Sequence, residues 1–423
     1  MKSHGKLVRM LRATLLTICV LLLFAASTGL AARQETVTMW AFPLCSDDIE
    51  MYSKLVNEFE KENPNIKVHV EVLPWQGRME KLMAALAANQ APDVMYLNVF
   101  LVPKLAATGN LAPLDKYLPS DVRADYFSGA IKSCQYDGRL YAMPVLQSVV
   151  TYIYNVDLFK KAGLDPKAPP ETWAELEEAA RKLTCDTDGD GKIDQWGIRF
   201  DLNRPSPITS VVPFVWQAGG DLISADGTEA IYDSPEAVRA VEFIKGLIDK
   251  GYMQKSNIQG GGLPFTSGKI GIDLQRENMD VIKLRAEGLD FEIAAGPILK
   301  DAKKIGYGTV GSYGILGKSK NKDAAAKWVL FLTRPDNMAY IMKNTGFVAP
   351  RKSVSPAKYV TDPVIKQFVE QAPNCRPETP HLYIQEVLST MQPAIENALL
   401  GLKPVEAALK EGTAEANRIM RRK

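Results

Sequence analysis

Residues 137–159, with the sequence DGRLYAMPVLQSVVTYIYNVDLF, constrain the fold more than any other part of this chain. After the Asp-Gly turn signal, nearly every residue as far as Tyr154 is apolar, β-branched or aromatic, which is typical of strands buried on both faces. Pro144 cannot donate a hydrogen bond to a central ladder, which argues against one uninterrupted strand. We therefore predict two strands in different sheets, with a hinge at residues 144–148 and a ligand cleft between two domains.

The N-terminus has the layout of a secretory signal. Within residues 1–31, basic residues come first, an apolar run covers 13–26, and small residues precede a predicted cleavage after Ala31. The run is short for a membrane span, with an uncleaved anchor as the alternative. No cysteine stands just after the run, so no lipid-anchor motif is seen. We expect an exported protein, periplasmic or extracellular.

Removal of residues 1–31 takes away four basic residues and no acidic one, so the net charge changes from +2 to −2. The mature chain therefore has no nucleic-acid footprint, and we expect no nucleic-acid partner. Cysteines remain at Cys45, Cys134, Cys185 and Cys375. Four cysteines allow three pairings, and their spacing does not choose among them. No CxxC pair is present, which argues against a zinc site.

The chain of 423 residues is long enough for two domains. Its early part alternates strand patterns (37–40, 66–73 and 93–97) with helical patterns, which is typical of a parallel sheet. Ligands of such sheets lie beyond the carboxyl ends of the strands, where Phe42 and Asn98 fall. Later, a strand at 291–295 predicts a second crossing between domains, and residues 343–350 a third.

Residues 186–194 (DTDGDGKID) resemble the start of a calcium loop, with carboxylates at positions one, three, five and nine and glycine at six. Position twelve is Gly197 rather than a bidentate glutamate, so a further ligand must come from elsewhere or from water. We predict a structural Ca²⁺ site, with a metal-free acidic loop as the alternative. The predicted ligands are Asp186, Asp188, Asp190, Asp194 and the backbone carbonyl of Lys192.

Signs of catalysis are few. Only His69 and His381 remain after residue 31, neither in an HExxH motif, and no GxSxG motif is present. Residues 306–311 fit GxGxxG, but turn-rich sequence follows where a dinucleotide site needs a helix. Most carboxylates fall on solvent-facing helix positions, although a glycosidase pair stays open. We expect a binding protein rather than an enzyme.

Several aromatic residues stand near strand ends or helix junctions, where a flat ring can face a cleft and stack on a sugar. They are Trp40, Phe42, Trp75 and Trp216, and core packing is the alternative for each. Arg276 and Asn278 follow a predicted strand that ends at Gln275 and offer polar groups at a similar terminus. A surface salt bridge is the alternative for them.

The chain resembles the extracellular solute-binding proteins of bacterial ABC importers, in the sugar-binding branch that includes maltose-binding protein. The resemblance spans nearly the whole mature chain and is carried, in order, by EFEKENPNIKVHVEV, APDVMYLN, DGRLYAMPVLQSVVTYIYNVDLFKKAGLDP, ETWAELEEAARKL, WQAGGDLIS, FTSGKIGI, GYGTVGSYGILGKSKNKDAAAKWVLFLT and GFVAPRKS. It implies an α/β, two-lobe periplasmic-binding-protein fold of type II with three hinge crossings. It also implies a monomer that closes on its ligand and docks on membrane permease subunits.

The resemblance implies discontinuous lobes, the N-terminal one of residues 35–145 and 297–345 and the C-terminal one of 148–293 and 350–423. The implied ligand contacts are Trp40, Phe42, Asn98, Gln147, Ser148, Trp216, Arg276, Asn278, Tyr307 and Gly311. Where maltose-type members carry an acid at the hinge and a frequent tryptophan, this chain has Ser148 and Asn278. We therefore expect a sugar other than maltodextrin. A receptor for a polyamine or a phosphorylated polyol and a secreted carbohydrate-active enzyme are the alternatives.

Overall fold

A computed structural model describes residues 34–45, 47–203, 206–354 and 356–421. The predicted signal of residues 1–31 lies outside these ranges. The strands are β1 (Glu35–Ala41), β2 (Ile66–Val72), β3 (Val94–Asn98), β4 (Gln135–Tyr136), β5 (Arg139–Leu140), β6 (Ala142–Gln147), β7 (Val150–Asn155), β8 (Trp196–Phe200), β9 (Ile270–Glu277), β10 (Ile293–Ala295), β11 (Gly306–Tyr307), β12 (Val310–Ile315) and β13 (Cys375–Arg376).

The α-helices are α1 (Asp48–Glu62), α2 (Arg78–Ala87), α3 (Val102–Ala107), α4 (Ser120–Asp125), α5 (Ser128–Ser133), α6 (Val156–Lys161), α7 (Trp173–Leu183), α8 (Val212–Gln217), α9 (Pro235–Asp249), α10 (Asp280–Ala286), α11 (Lys322–Leu332), α12 (Pro335–Thr345), α13 (Pro363–Gln371), α14 (Ile384–Leu399) and α15 (Val405–Met420). Short 3₁₀ turns cover Val99–Leu101, Asp115–Tyr117, Pro207–Thr209, Lys255–Gln259, Phe265–Ser267, Pro356–Lys358 and Ala372–Asn374.

The N-terminal lobe is built on a five-stranded sheet in the order β2-β1-β3-β12-β6. β1 runs parallel to β2 and β3, which confirms the parallel arrangement predicted for this part of the chain. β12 comes from much later in the sequence and inserts between β3 and β6, antiparallel to both. The carboxyl ends of β1, β2, β3 and β6 therefore meet at one edge of the sheet, where ligands of such sheets lie.

The C-terminal lobe is built on a four-stranded sheet in the order β10-β7-β9-β8. Successive residues of β7 enter two different apolar clusters: Tyr152 and Tyr154 pack on one side and Ile153 on the other. Residues of α7, α9, α14 and α15 complete the first cluster, and residues of α10 and α13 complete the second. Helices thus cover both faces of the sheet, which explains why the sequence of β7 is apolar throughout.

The first crossing between the lobes confirms the prediction of two strands in different sheets, because β6 ends at Gln147 and β7 begins at Val150. The hinge is shorter than the predicted 144–148, since Pro144 lies inside β6 opposite Ser312. β6 is the edge strand of its sheet, so the missing N–H of proline interrupts no ladder on the outer side.

The second crossing comes later than the predicted boundary at residue 297. Leu299 and Tyr307 are buried in the C-terminal core, and Lys300 forms a β-bridge with Thr172. Only after Tyr307 does the chain return to the N-terminal sheet, by way of Gly308 and Thr309. Burial of these apolar side chains against the distant α7 and α8 region was not visible in the local pattern.

The boundary predicted at residue 350 is also wrong. Val354 and Tyr359 belong to the N-terminal core, and the Arg351 guanidinium donates to Asp125 Oδ2 at 2.7 Å and to the Thr333 carbonyl at 2.6 Å. The chain passes to the C-terminal lobe between Tyr359 and Pro363, where α13 packs against β10.

Candidate ligand-binding cleft

The carboxyl ends of the N-terminal strands face the end of β9 in the other lobe. Burial raises the pKa of Tyr96 in β3, and the charges of Arg78 and, from the C-terminal lobe, of Glu277 also act on its hydroxyl. Phe100 packs against both cores, and the Lys104 ammonium of α3 lies 3.5 Å from Glu386 of α14. The two lobes therefore touch close to the ends of these strands, where a ligand cleft is expected.

Three aromatic rings form a plate on the N-terminal side of this cleft: Phe42, Trp75 and Tyr96. Phe42 stacks on Trp75 with 4.9 Å between ring centroids, and Tyr96 meets Trp75 edge-on at 5.8 Å. The Trp75 indole N–H donates to the Pro43 carbonyl at 2.9 Å, which fixes the ring. Phe42 is only 1% exposed, whereas Trp75 is 38% exposed. Trp75 is thus the ring with free surface, and Phe42 supports it from behind.

The Arg78 guanidinium, at the first residue of α2, lies against this plate. Its carbon is 4.6 Å from the Trp75 ring centroid and 5.8 Å from that of Phe42. Burial lowers the pKa of Arg78. Trp40 lies elsewhere on the same sheet, partly buried, with the Lys81 ammonium 4.8 Å from its ring. The structure therefore separates Trp40 from the plate, keeps the predicted Trp75 in it and brings Arg78 against it.

Ser148 and Gln147 act in the hinge. The Ser148 N–H donates to the Thr309 carbonyl at 2.9 Å, and the Ser148 hydroxyl accepts the Thr309 N–H at 3.1 Å. The Gln147 backbone exchanges two hydrogen bonds with Val348, at 2.8 and 2.9 Å. Both residues are at most 3% exposed. They hold the crossing segments side by side, and their predicted contact with the ligand stays a prediction.

Asn278 and Gly311 also have structural explanations. Asn278 is fully buried, and its Oδ1 accepts the Val149 N–H at 2.9 Å while its Nδ2 donates to the Gly346 carbonyl. Gly311 lies where a Cβ would overlap the Tyr96 hydroxyl. Asn278 thus links two hinge segments by hydrogen bonds, and Gly311 leaves room for the Tyr96 ring of the plate. Asn98, at the end of β3, is partly exposed at the cleft edge and remains a candidate contact.

Arg276 is occupied by carboxylates. Its Nε and Nη2 donate to Asp273 Oδ2 at 2.7 and 2.5 Å, and the fully buried Asp273 also accepts from Arg199 at 3.2 Å. The neighbouring Gln275 has a positive φ of 56°, in a region that L-residues rarely adopt. Glu277 is partly exposed, and its charge adds to the burial that raises the pKa of Tyr96 and of Tyr307. Gln275 and Glu277 are therefore cleft candidates that the sequence pattern did not distinguish.

Trp216 and Tyr307 come together with two residues that the sequence analysis missed. The Arg376 guanidinium lies 3.9 Å from the Trp216 ring centroid and donates to Asp221 Oδ1 at 2.8 Å. The Tyr307 hydroxyl donates to Glu378 Oε1 at 2.8 Å. Burial raises the pKa of the Glu378 carboxyl, whose Oε2 has no hydrogen-bond partner among the described residues. Only the pairing of β11 with β13 unites these positions, and no local motif indicates it.

The acidic loop lies in the C-terminal lobe. Asp186, Asp188 and Asp190 each present one carboxylate oxygen within 4.8 Å of the others. Asp186 accepts the N–H groups of Gly189 and Gly191, both at 2.7 Å, in the tight turn that those glycines permit. The Asp194 carboxylate instead binds Lys269 Nζ at 2.8 Å and Thr187, which lowers its pKa. The Lys192 ammonium lies 3.9 Å from Asp190 Oδ2.

All four cysteines of the described chain carry free thiols. Burial raises the pKa of Cys134 and of Cys375 to about 12, so both are protonated at neutral pH. Across the residues that the structure describes, we find no helix with the length and apolar character that crossing a membrane requires.

Residues 54–367 match the family described as bacterial extracellular solute-binding protein. The maltotriose-binding protein of Pyrococcus abyssi is 25% identical over 376 residues, covering 86% of this chain and 78% of that protein. The sn-glycerol-3-phosphate-binding periplasmic protein UgpB of Escherichia coli K12 is 24% identical over 442 residues, covering 96% and 97%. The sugar-binding protein MalE of Xanthomonas citri superimposes with a TM-score of 0.80 at 25% identity, covering 91% and 97%.

Proposed function

Because the chain belongs to the family of bacterial extracellular solute-binding proteins, we propose that it is the substrate-binding component of an ABC importer and captures a sugar or oligosaccharide between its lobes. The observation that carries this proposal is the aromatic plate, with Trp75 exposed at the carboxyl ends of the strands. Such a ring stacks on the apolar face of a sugar. The relatives named for maltotriose and for sugar binding support the same ligand class.

Binding is coupled to closure. A ligand that contacts the plate on one lobe and Gln275 or Glu277 on the other binds the closed form better and shifts the population toward it. The hydrogen bonds of the hinge segments keep the crossings together while the lobes rotate. The closed monomer then docks on membrane permease subunits. Export by the predicted signal places it outside the cytoplasmic membrane.

The acidic loop holds a structural Ca²⁺ in this proposal. Carboxylate oxygens are the ligands that calcium prefers, and Asp186, Asp188 and Asp190 already converge. Asp194, predicted as a further ligand, is less suited, because its carboxylate is engaged by Lys269. The backbone carbonyl of Lys192 stays a proposed ligand. Backbone carbonyls and water would complete the coordination. The ion would stabilise the loop between α7 and β8.

Calorimetric titration of the purified protein with a panel of neutral and acidic saccharides tests the ligand class. We expect saturable binding to at least one saccharide, weakened about tenfold or more by Trp75→Ala because the stacking surface is lost. Tyr340→Ala is the matched control: its ring is partly exposed on α12 under Lys54 and lies outside the plate.

A parallel incubation with labelled oligosaccharides tests for catalysis. Recovery of intact oligosaccharide is the expected outcome. Turnover would favour a carbohydrate-active enzyme, and absence of binding to every saccharide would overturn the proposed ligand class.

A further inference from the structure

We propose that the ligand of this cleft carries an oxyanion group, a carboxylate or a phosphate, which the Arg78 guanidinium binds beside the aromatic plate. The inference rests on the proposed function, because it concerns the same cleft. It adds a charge to the ligand, which neither the aromatic plate nor the family requires.

Arg78 differs from the other arginines of the molecule in its partners. Within the described ranges, every other arginine has a carboxylate within 4.0 Å, whether it is exposed or partly buried. These pairs are Arg123 and Arg139 with Asp115, Arg181 with Glu178, Arg199 and Arg276 with Asp273, Arg239 with Asp301, Arg285 with Asp362, Arg334 with Glu62, Arg351 with Asp125, Arg376 with Asp221, Arg418 with Glu415 and Arg421 with Glu229. The Arg78 guanidinium, by contrast, forms no ion pair and donates no hydrogen bond to any residue that the structure describes.

The missing partner matters because Arg78 is partly buried. A guanidinium that loses water without gaining an anion is unfavourable, and burial lowers its pKa accordingly. The Arg78 guanidinium lies over the rings of Trp75 and Phe42. Aromatic rings accept none of its N–H groups as a carboxylate would, so these donors are available for the paired hydrogen bonds that carboxylates and phosphates accept.

Charges from both lobes act on the Tyr96 phenol: that of Arg78 and, from the opposite lobe, that of Glu277. A ligand with one oxyanion and several hydroxyl groups matches both sides, since hydroxyls donate to Glu277 while the oxyanion faces Arg78. A polyamine matches the plate poorly, because its ammonium groups would meet the unpaired guanidinium. The charge of Arg78 therefore disfavours the polyamine alternative.

Matched ligand pairs in which one member has the oxyanion group and the other lacks it provide the test. The pairs are trigalacturonate with its methyl ester for the carboxylate, and glucose 6-phosphate with glucose and glycerol 3-phosphate with glycerol for the phosphate. We expect the wild-type protein to bind the anionic member of at least one pair ten times or more tightly, with affinity falling as salt rises. The pair that responds identifies the oxyanion.

Arg78→Gln is expected to abolish that preference, and Arg78→Lys to retain part of it as a point charge without the paired donors. Lys81→Gln is the control, because Lys81 lies on the next turn of α2 over Trp40 and pairs with Glu71. The thermal midpoint of Arg78→Gln should equal or exceed that of the wild type, since the variant loses an uncompensated charge. A lower midpoint would assign Arg78 to structure and overturn the inference.

The binding results distinguish failure of the oxyanion proposal from failure of the proposed sugar-binding function. Equal or tighter binding of a neutral saccharide, unchanged in Arg78→Gln, overturns the oxyanion and leaves sugar binding intact. Binding of glycerol 3-phosphate but of no saccharide supports the oxyanion and overturns the sugar. Failure of every probe to bind overturns both.

Discussion

Asn278 joins two segments of the hinge that are far apart in sequence: its Oδ1 accepts the Val149 N–H at 2.9 Å, and its Nδ2 donates to the Gly346 carbonyl. The Asn278 N–H also donates to the Val149 carbonyl at 3.2 Å. The end of β9, the first crossing and the end of α12 are therefore fastened at one buried amide. The family resemblance placed Asn278 among the ligand contacts, and in this structure its side chain bridges the segments that cross between the lobes.

Replacement of Asn278 by alanine should lower the free energy of unfolding by about 2–4 kcal/mol, because it leaves the buried Val149 N–H and the partly buried Gly346 carbonyl without their side-chain partners. Asn344→Ala is the control, since that exposed amide donates only to Tyr340 within its own helix. Urea unfolding of both variants checks the prediction. An equal, small decrease in the free energy of unfolding of both variants would show that the side-chain hydrogen bonds of Asn278 contribute little.

Gly308 is required where the second crossing passes the first. A Cβ at this position would overlap the Ser148 carbonyl oxygen, which is part of the backbone and cannot rotate away. We expect Gly308→Ala to lower the free energy of unfolding by about 1–3 kcal/mol through overpacking. Gly246→Ala, in the interior of α9 with no atom within 4 Å of the added Cβ, should instead raise it by about 0.5–1 kcal/mol. The unfolding midpoint should therefore decrease in Gly308→Ala and increase in Gly246→Ala, relative to the wild type.

The sequence predicted those parts of the fold that depend on local pattern. The unbroken apolar run of β7 indicated a strand covered on both faces, and the strand ends at Phe42 and Asn98 indicated the edge at which the cleft lies. Pairings between distant segments were not accessible in this way. Arg276 and Trp216 stood near element ends as predicted, but Asp273 and Arg376, which determine their roles, are recognisable only once β8, β11 and β13 are placed.

The same limit explains the errors at the boundaries. Residues 351–359 have a loop-like sequence, and their place in the N-terminal lobe follows from distant contacts: Arg351 pairs with Asp125, and Val354 and Tyr359 are buried in that lobe's core. Gln275 offers no sequence signal at all, because a positive φ on a glutamine is imposed by the register shift between β7 and β9. Arg78 was overlooked because an arginine at the start of a helix is unremarkable until its lack of a partner is known.

Glu378 should make stability fall with rising pH. Burial raises the pKa of its carboxyl above the ordinary 4.5, so the folded protein holds this proton more tightly than the unfolded chain does. The carboxyl is neutral in both states well below pH 4.5, and the charged form costs stability progressively as pH rises from 4.5 through the folded pKa.

Glu378→Gln should remove this contribution to the pH dependence of stability. The free energy of unfolding of the variant, relative to that of the wild type, should therefore increase as pH rises. Tyr307→Phe should steepen the slope, because the variant loses the hydroxyl that donates to the charged carboxylate. Denaturant unfolding between pH 4 and pH 8 provides the comparison. Parallel curves for wild type and Glu378→Gln would contradict the assignment.

Calcium should stabilise the protein through three carboxylates rather than four. Calcium at about 100 times its dissociation constant is expected to raise the free energy of unfolding by about 2.7 kcal/mol, because it binds only the folded loop. Asp188→Asn should abolish this effect, whereas Asp194→Asn should leave most of it, since Asp194 is engaged by Lys269. Asp336→Asn, an exposed carboxylate of the N-terminal lobe, is the control.

The measurement is the thermal midpoint with and without calcium or a chelator, together with saccharide affinity under both conditions. Affinity should change little on chelation, because the loop between α7 and β8 contributes no residue to the plate or to the end of β9. A calcium response that survives in Asp188→Asn and disappears in Asp194→Asn would place the ion at the opposite end of the loop. Equal loss of affinity and of stability on chelation would show instead that the loop is coupled to the cleft through β8 and its neighbour β9.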